Sequence, residues 1–350
     1  MPWRADPRLA GWTLLTAGIA AAGGALFAAL GWPAAWLMGA TFATAAAALA
    51  GLRVGLPPGL RDVAFLLLGI SIGSSVTPEG IATMRAWPGS IALLVVSVAA
   101  TLVAAAAYLE RVHGWDRTTA RFAAMPGAFS SVVVIAATSS ADLPRVVLAQ
   151  GLRVFTLVVL MPPFLAFASA DPAVPAAAVA PETNSLAEVV LTLAVSGGLA
   201  AAMRWLGVPA GTLLGAMMAS AILHATGGVH GRFPQPLVVA GFIATGAVIG
   251  ARFRGTSLDT VRRTVPGAVA SVLLALAISA AIAGLGSGLL GLPFGQLWLA
   301  YAPGGVEAMA AMALVLGLEP AFVGAHHILR ILVLNLIGPF WLRGTRPPLP

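Results

Sequence analysis

Ile91-Ala-Leu-Leu-Val-Val-Ser-Val-Ala-Ala-Thr-Leu-Val-Ala-Ala-Ala-Ala-Tyr-Leu109 is nineteen residues without a charge. Wound as an α-helix at about 1.5 Å per residue, it matches the roughly 30 Å hydrocarbon core of a bilayer. The rest of the chain is of the same kind. Of 350 residues, 59% are hydrophobic and 9% charged, with a mean hydropathy of +0.95. Soluble chains are about one quarter charged, so this composition excludes a soluble enzyme and a disordered chain. A β-barrel would alternate apolar and polar residues. Runs such as Val63 to Ile72 are continuous instead. The reading is an all-α polytopic membrane protein.

The net charge is +7, and all nineteen basic residues are Arg. They sit mostly between apolar runs, which points to topology and anionic lipid rather than to direct nucleic-acid contact. With no Cys, disulfides, thiolate chemistry and Cys-type metal sites are excluded. Trp12 to Leu30 is long enough to span and follows Arg4 and Arg8, so it reads as a retained first helix.

Candidate helices cover residues 12–30, 33–51, 62–78, 88–109, 119–139, 143–168, 185–203, 207–224, 234–251, 266–287, 294–316 and 320–342. The Ala/Pro-rich linker 169–184 separates a first repeat, 12–168, from a second, 185–342. Gly31-Trp-Pro-Ala-Ala-Trp-Leu-Met-Gly39 matches Gly207-Val-Pro-Ala-Gly-Thr-Leu-Leu-Gly215, at an offset of 176. Gly69-Ile-Ser-Ile-Gly73 matches Gly246-Ala-Val-Ile-Gly250, Pro88-Gly89 matches Pro266-Gly267, Met125-Pro-Gly127 matches Ala302-Pro-Gly304, and Leu152-Arg-Val154 matches Leu329-Arg-Ile331. Matched segments in one order, at nearly one offset, indicate internal duplication.

Arginine placement bears on how the two repeats are oriented. If twelve helices all span, loop arginines fall ten inside against seven outside. If the fifth helix of each half enters and returns on one side, the second half is inverted. Fifteen then fall inside, and only Arg85 and Arg232 outside, as the positive-inside rule favours. The expected fold is two inverted repeats, each of five transmembrane helices plus one broken or re-entrant helix. A fully spanning but broken fifth helix is the competing arrangement.

Phe122-Ala-Ala-Met-Pro-Gly-Ala-Phe-Ser-Ser131 and Leu299-Ala-Tyr-Ala-Pro-Gly-Gly-Val-Glu-Ala308 each put Pro-Gly inside an apolar run. Freed backbone groups cannot face lipid, so they are buried in protein or line a wet cavity. Helices interrupted at matching places in two halves point to a transporter's substrate site. The expected binding residues are Pro126, Gly127, Ser130 and Ser131 at the first break, and Pro303, Gly304, Gly305 and Glu307 at the second. Arg153 and Arg330 occupy equivalent positions in apolar runs, where an Arg needs a partner or a cavity. Glu307, Asp142 and Glu319 are the candidate counter-charges. Gln150, His326 and His327 share the helix faces of these arginines, and the His pair could relay protons. A kink used only in packing, a buried ion pair and a satisfied His pair are the plainer readings. The Gly-x-x-x-Gly segments read as close helix packing. Trp12, Trp32 and Trp341 read as interfacial anchors. No HExxH or carboxylate–His pair appears, so no metal and no cofactor is expected.

These residues resemble the membrane AbrB duplication family. The likeness rests on Gly-Trp-Pro-Ala-x-x-Leu-Met-Gly, Met-Pro-Gly-Ala-Phe, Ala-Pro-Gly-Gly-Val-Glu-Ala-Met and Ala-His-His-Ile-Leu-Arg, and covers residues 12–342. His326, His327 and Arg330 stand where the family pattern has them, whereas Glu307 comes one residue early, with Ala308 before Met309. The resemblance implies a bacterial inner-membrane protein, in a family labelled as regulators of gene expression or as ammonia monooxygenases. A DNA-binding regulator needs a soluble module that these loops cannot hold, and an oxygenase needs metal ligands. The sequence therefore favours a secondary permease for a small polar or anionic solute and not an enzyme. A membrane sensor acting indirectly on transcription is the alternative, and a metal-dependent monooxygenase the disfavoured third. Expected partners are the bilayer and the solute, with homo-oligomerisation left open.

Overall fold

The computed structural model describes residues 7–75, 87–126, 129–168 and 183–342. They fold as fourteen named α-helices. In the first half these are α1 (Pro7–Ala29), α2 (Ala35–Leu49), α3 (Pro58–Gly73), α4 (Trp87–Arg111), α5 (Arg117–Ala124), α6 (Phe129–Ala137) and α7 (Leu143–Ala168). In the second they are α8 (Leu186–Trp205), α9 (Gly211–Ala225), α10 (Gln235–Gly250), α11 (Leu258–Leu290), α12 (Phe294–Tyr301), α13 (Val306–Val315) and α14 (Pro320–Trp341). A 3₁₀ turn, Ala251–Phe253, extends α10. Among the described residues no strand forms, and seven helices are long and apolar enough to cross a bilayer. This is an all-α polytopic membrane protein. The linker 169–182 and Gly127 lie outside the described residues.

The chain divides into two compact units, each drawn from both halves of the sequence. Unit one takes residues up to 84, 158–254 and 307–321; unit two takes 85–157, 255–306 and the rest from 322.

In unit one, α1 packs antiparallel on α2, with Gly23 against Gly39 and Gly24 against Trp36. α8 packs antiparallel on α9 in the same way, with Gly215 against Ala200 and Gly211 against Met203. α3 lies on α9, and α10 on α2. Both of these contacts need glycine. A Cβ at Gly69 would stand 2.7 Å from Ala216 Cβ, and one at Gly73 2.6 Å from Ser220 Cβ. At Gly246 it would stand 2.7 Å from Ala40 Cβ, and at Gly250 2.7 Å from Thr44 Cβ. Small residues let backbones meet where lipid gives no hydrophobic drive. Residue numbers rise together across each contact, so α3 runs parallel to α9 and α10 parallel to α2. The turns that start α2 and α9 also correspond. Ala34 and Ala210 both adopt left-handed backbone, at φ 52° and 53°, a conformation that costs a non-glycine residue about 1–2 kcal/mol.

Loop 50–57 folds back beside α1, where the Gly55 amide donates to Thr16 Oγ1 at 3.0 Å. Arg254, just past α10, donates to Val54 O at 3.4 Å. α3 therefore starts at the end of the unit where α2 and α10 finish. Asp62, the fifth residue of α3, accepts from Arg61 at 3.0 Å and pairs with Arg204 at the end of α8. Arg53, Arg61, Arg204, Arg252 and Arg254 thus share one end. Arg232, whose carbonyl accepts from the Asn184 amide at 3.1 Å, sits at the other.

In unit two, α4 and α11 pack antiparallel: Gly89 meets Leu290, Gly286 meets Leu93, and Gly267 meets His113. The short helix α5 is capped by Asp116, which accepts from the Thr119 amide at 2.8 Å. The last turn of α5 clasps α14: Arg121 donates to Trp341 O at 2.9 Å and its guanidinium stacks 5.2 Å from the Trp341 ring. α12 rests on α11, with Trp298 Nε1 donating to Leu276 O at 3.2 Å.

Candidate functional site: two helix breaks in unit two

α5 and α12 contain eight residues each, about 12 Å of helix, far short of a bilayer crossing. Each stops where the chain turns extended, at Met125 (ψ 112°) and at Ala302 (ψ 141°), just before Pro126 and Pro303. A proline cannot donate to the helix, and the last four carbonyls of any helix lack helical partners. In a buried place those carbonyls need donors from elsewhere.

Arginine side chains supply them. Gln150 and Arg153 stand one turn apart on α7 and are buried. Gln150 Nε2 donates to Phe122 O at 2.8 Å and Met125 O at 2.9 Å. Arg153 Nη1 donates to Met125 O at 3.2 Å, and its Nη2 to Gln150 Oε1. At the second break Arg330 on α14, 2% exposed, donates to Ala302 O and Gly304 O. The cation also opposes the partial negative charge of a helix C-terminus. Of the candidate counter-charges, Asp142 pairs with Arg145 at 3.6 Å; backbone carbonyls and an amide oxygen are among the hydrogen-bond acceptors of Arg153 and Arg330.

Pro126, Pro303 and Arg153 line one cavity together with Thr101 and Ser271. Its volume of about 20 Å³ holds roughly one water. The two breaks therefore approach one another within unit two. Ser130 and Ser131 fall in the first turn of α6. Gly304 and Gly305 complete the second break, with the Gly304 amide donating to Ala302 O at 2.8 Å. Glu307, in the first turn of α13, belongs to unit one, where it acts electrostatically on Arg252.

His326 and His327 are fully buried on α14. Their Nδ1 atoms donate to Phe322 O (2.8 Å) and Val323 O (3.0 Å). His326 Nε2 lies 2.9 Å from Ser90 Oγ, which lies 3.0 Å from the Tyr301 hydroxyl. Sequence reading passed over Ser90, Tyr301, Thr101 and Ser271. Tyr301, one of two tyrosines in the chain and two residues before Pro303, carried the one visible signal. Among the described residues no group of three or more His, Asp or Glu side chains gathers as a metal would need.

Broken helices, buried arginines and spans long enough for a bilayer define a multi-pass integral membrane protein. The chain belongs to the AbrB family: the profile described as "Transition state regulatory protein AbrB" matches residues 36–346. Among its relatives, a protein of Escherichia coli (strain K12) named "Putative regulator AbrB" is 27% identical over 319 residues, 89% of this chain and 90% of its own. The "Uncharacterized protein YhjN" of Bacillus subtilis (strain 168) is 30% identical over 297 residues, 79% of this chain and 76% of its own.

Proposed function

We propose that this protein is a secondary transporter, a permease for a small polar or anionic solute, with its solute site at the two breaks. The observation that carries this reading is the single cavity lined by Pro126, Pro303 and Arg153. A buried guanidinium beside two interrupted helices is a setting that favours negative charge. Thr101 Oγ1 and Ser271 Oγ already donate to Ser97 O and Ala268 O. Their lone pairs are left to accept from a solute hydroxyl or amine.

The reading includes an inverted duplication, with alternating access between the halves. Three findings support it. α4 and α11, which share the Pro-Gly register, pack antiparallel, as equivalent helices do across an axis in the membrane plane. The residues of α9 that receive Gly69 and Gly73 stand 176 positions after those of α2 that receive Gly246 and Gly250. Arg204 shares an end with Arg61, and Arg254 with Arg53. A parallel arrangement would put each of these pairs on opposite sides. On this reading the protein lies in a bacterial inner membrane, the arginine-rich end and both termini are cytoplasmic, and Glu307 or the His pair couples protons.

The test is flux into proteoliposomes of the full chain, screened with labelled carboxylates, inorganic anions and amino acids. Any solute carried by the wild type should lose at least about tenfold in rate with Arg153→Gln, the scale of a 1.4 kcal/mol interaction. Unchanged flux in that variant removes the site. Saturable binding of a solute without flux would instead support a membrane sensor acting indirectly on transcription, the reading that the relative's name favours.

A further inference from the structure

The two breaks share a backbone plan but not a side-chain plan. By the register that aligns the halves, the positions matching Ser90, Tyr301 and His326 are Ala268, Ala124 and Ala149. Ala124 and Ala149 line the cavity; their small side chains leave that space open at the first break. At the second break the same places hold three convergent polar groups, all buried.

We propose that His326 is the proton-binding site of the protein, and that Ser90 and Tyr301 are its positioning residues. This rests on the transport reading above, and it selects one residue from the three that could couple protons. The argument is a count of donors and acceptors. A carbonyl can only accept, so the 2.8 Å contact with Phe322 O makes His326 Nδ1 the protonated nitrogen. In the neutral ring Nε2 is then an acceptor. The Ser90 hydroxyl donates to it at 2.9 Å, and Tyr301 donates to Ser90 Oγ at 3.0 Å.

The chain can also run backwards. When Nε2 takes a proton from the aqueous phase, one N–H bond forms and the imidazolium donates to Ser90 Oγ. The Ser90 hydrogen turns to the Tyr301 oxygen, and the Tyr301 hydrogen turns to the Ser90 carbonyl, 3.1 Å away. Each polar group keeps a partner in both states, which matters because an orphaned buried group costs about 1–3 kcal/mol. Returning the proton to water restores the first arrangement.

His327 has no such outlet. Its Nδ1 is held by Val323 O, and its Nε2 is buried without a hydrogen bond, so protonation would bury an unanswered donor. The groups around His326 are the Phe322 ring at 4.0 Å, the Trp87 ring at 5.9 Å, Ser90 on α4, Tyr301 on α12, and His327 and Arg330 on its own helix. Arg330 is the one fixed charge named among these, and its guanidinium is engaged by the carbonyls of the second break.

The experiment is nitrogen NMR of histidine-labelled full-length protein in lipid nanodiscs across an acid titration, with resonances assigned by single His→Gln variants. No solute is required. The wild type should show His326 as the Nδ1–H tautomer with a hydrogen-bonded, unprotonated Nε2, converting reversibly to imidazolium on acidification. Tyr301→Phe removes the acceptor that the reversed chain needs, so His326 should keep only its neutral signature where the wild type converts. Ser90→Ala should shift Nε2 to the position of a free lone pair, and Ser90→Thr should restore the wild-type signal. An Nε2–H tautomer in the wild type, conversion of His327 in place of His326, or unchanged conversion in Tyr301→Phe would each overturn the proposal. Lost titration with intact flux rejects this assignment alone; intact titration in a protein that carries no solute rejects the transport reading alone.

Discussion

Replacing Arg330 with Met removes the donors from the second break while keeping a long apolar side chain. Arg330 is 2% exposed and donates to two carbonyls, Ala302 O and Gly304 O. Ala302 O keeps the Gly304 amide at 2.8 Å, so its lost bond costs about 1 kcal/mol, whereas Gly304 O loses its donor, which costs about 1–3 kcal/mol, a gross loss of about 2–4 kcal/mol. Part returns, because a buried cation no longer has to be desolvated. The expected net destabilisation is about 1–3 kcal/mol. The first break supplies the internal comparison. In Arg153→Met, Gln150 Nε2 still donates to Phe122 O at 2.8 Å and to Met125 O at 2.9 Å. The bonds of Arg153 to Met125 O at 3.2 Å, Ala123 O at 3.4 Å and Gln150 Oε1 are lost, but both carbonyls keep a contact from Gln150 Nε2, and the expected cost falls to about 1 kcal/mol. Arg330→Lys keeps the charge but gives up the planar fork that spans two carbonyls, so it should fall between wild type and Met. The assay is reversible unfolding in mixed micelles by SDS titration, followed by fluorescence of the nine tryptophans. Equal costs at the two arginines, or full recovery with Lys, would mean that the guanidinium does not act as a helix cap.

Two further predictions concern the scaffold. Gly73→Ala and Gly250→Ala each push a Cβ into the opposing helix and should cost about 1–3 kcal/mol in the same titration. Gly198→Ala on α8, which meets nothing within 4 Å, should be neutral or stabilise by up to about 1 kcal/mol; a destabilised Gly198→Ala would undo the packing assignment. The chain has no Cys, so Arg53→Cys, Arg204→Cys and Arg232→Cys can be labelled singly in intact cells with an impermeant maleimide. Inverted repeats predict labelling at position 232 alone, whereas parallel repeats predict it at position 204 alone.

What could be read from sequence was whatever the backbone announces locally. Pro-Gly inside an apolar run foretold that helices would stop near residues 125 and 302. Gly-x-x-x-Gly foretold the close approaches of α3 and α10. The start of α11 was misread at Pro266, yet Ser257 caps the helix by accepting from the Thr260 amide at 3.1 Å. Pro266 lies inside α11, eight residues after Leu258; a proline within a membrane helix is tolerated where neighbouring groups satisfy the carbonyl it frees. The partners of the arginines were illegible for a different reason. A search among side chains looks for carboxylates, and here the acceptors are main-chain carbonyls that any residue type could supply. The Ser90–Tyr301–His326 cluster joins positions 211 and 236 residues apart, and no local pattern reports such a meeting.

The two breaks are alike in what their backbone requires and unlike in the side chains around them. Both need their orphaned carbonyls satisfied, and both use an arginine for it. That requirement comes from burial alone and does not distinguish the halves. The positions free to differ are those that do not serve the backbone. The first break places Ala124 and Ala149 there beside a cavity, and the second places Tyr301 and His326 there in a hydrogen-bonded chain. A transporter that couples a solute to a proton needs two unlike sites close enough to influence one another. Filling the first site with the second's side chains, by Ala124→Tyr and Ala149→His together, should close the cavity and abolish solute flux. His326 titration should be left unchanged. Solute flux that survives this double substitution would place the solute elsewhere in the chain.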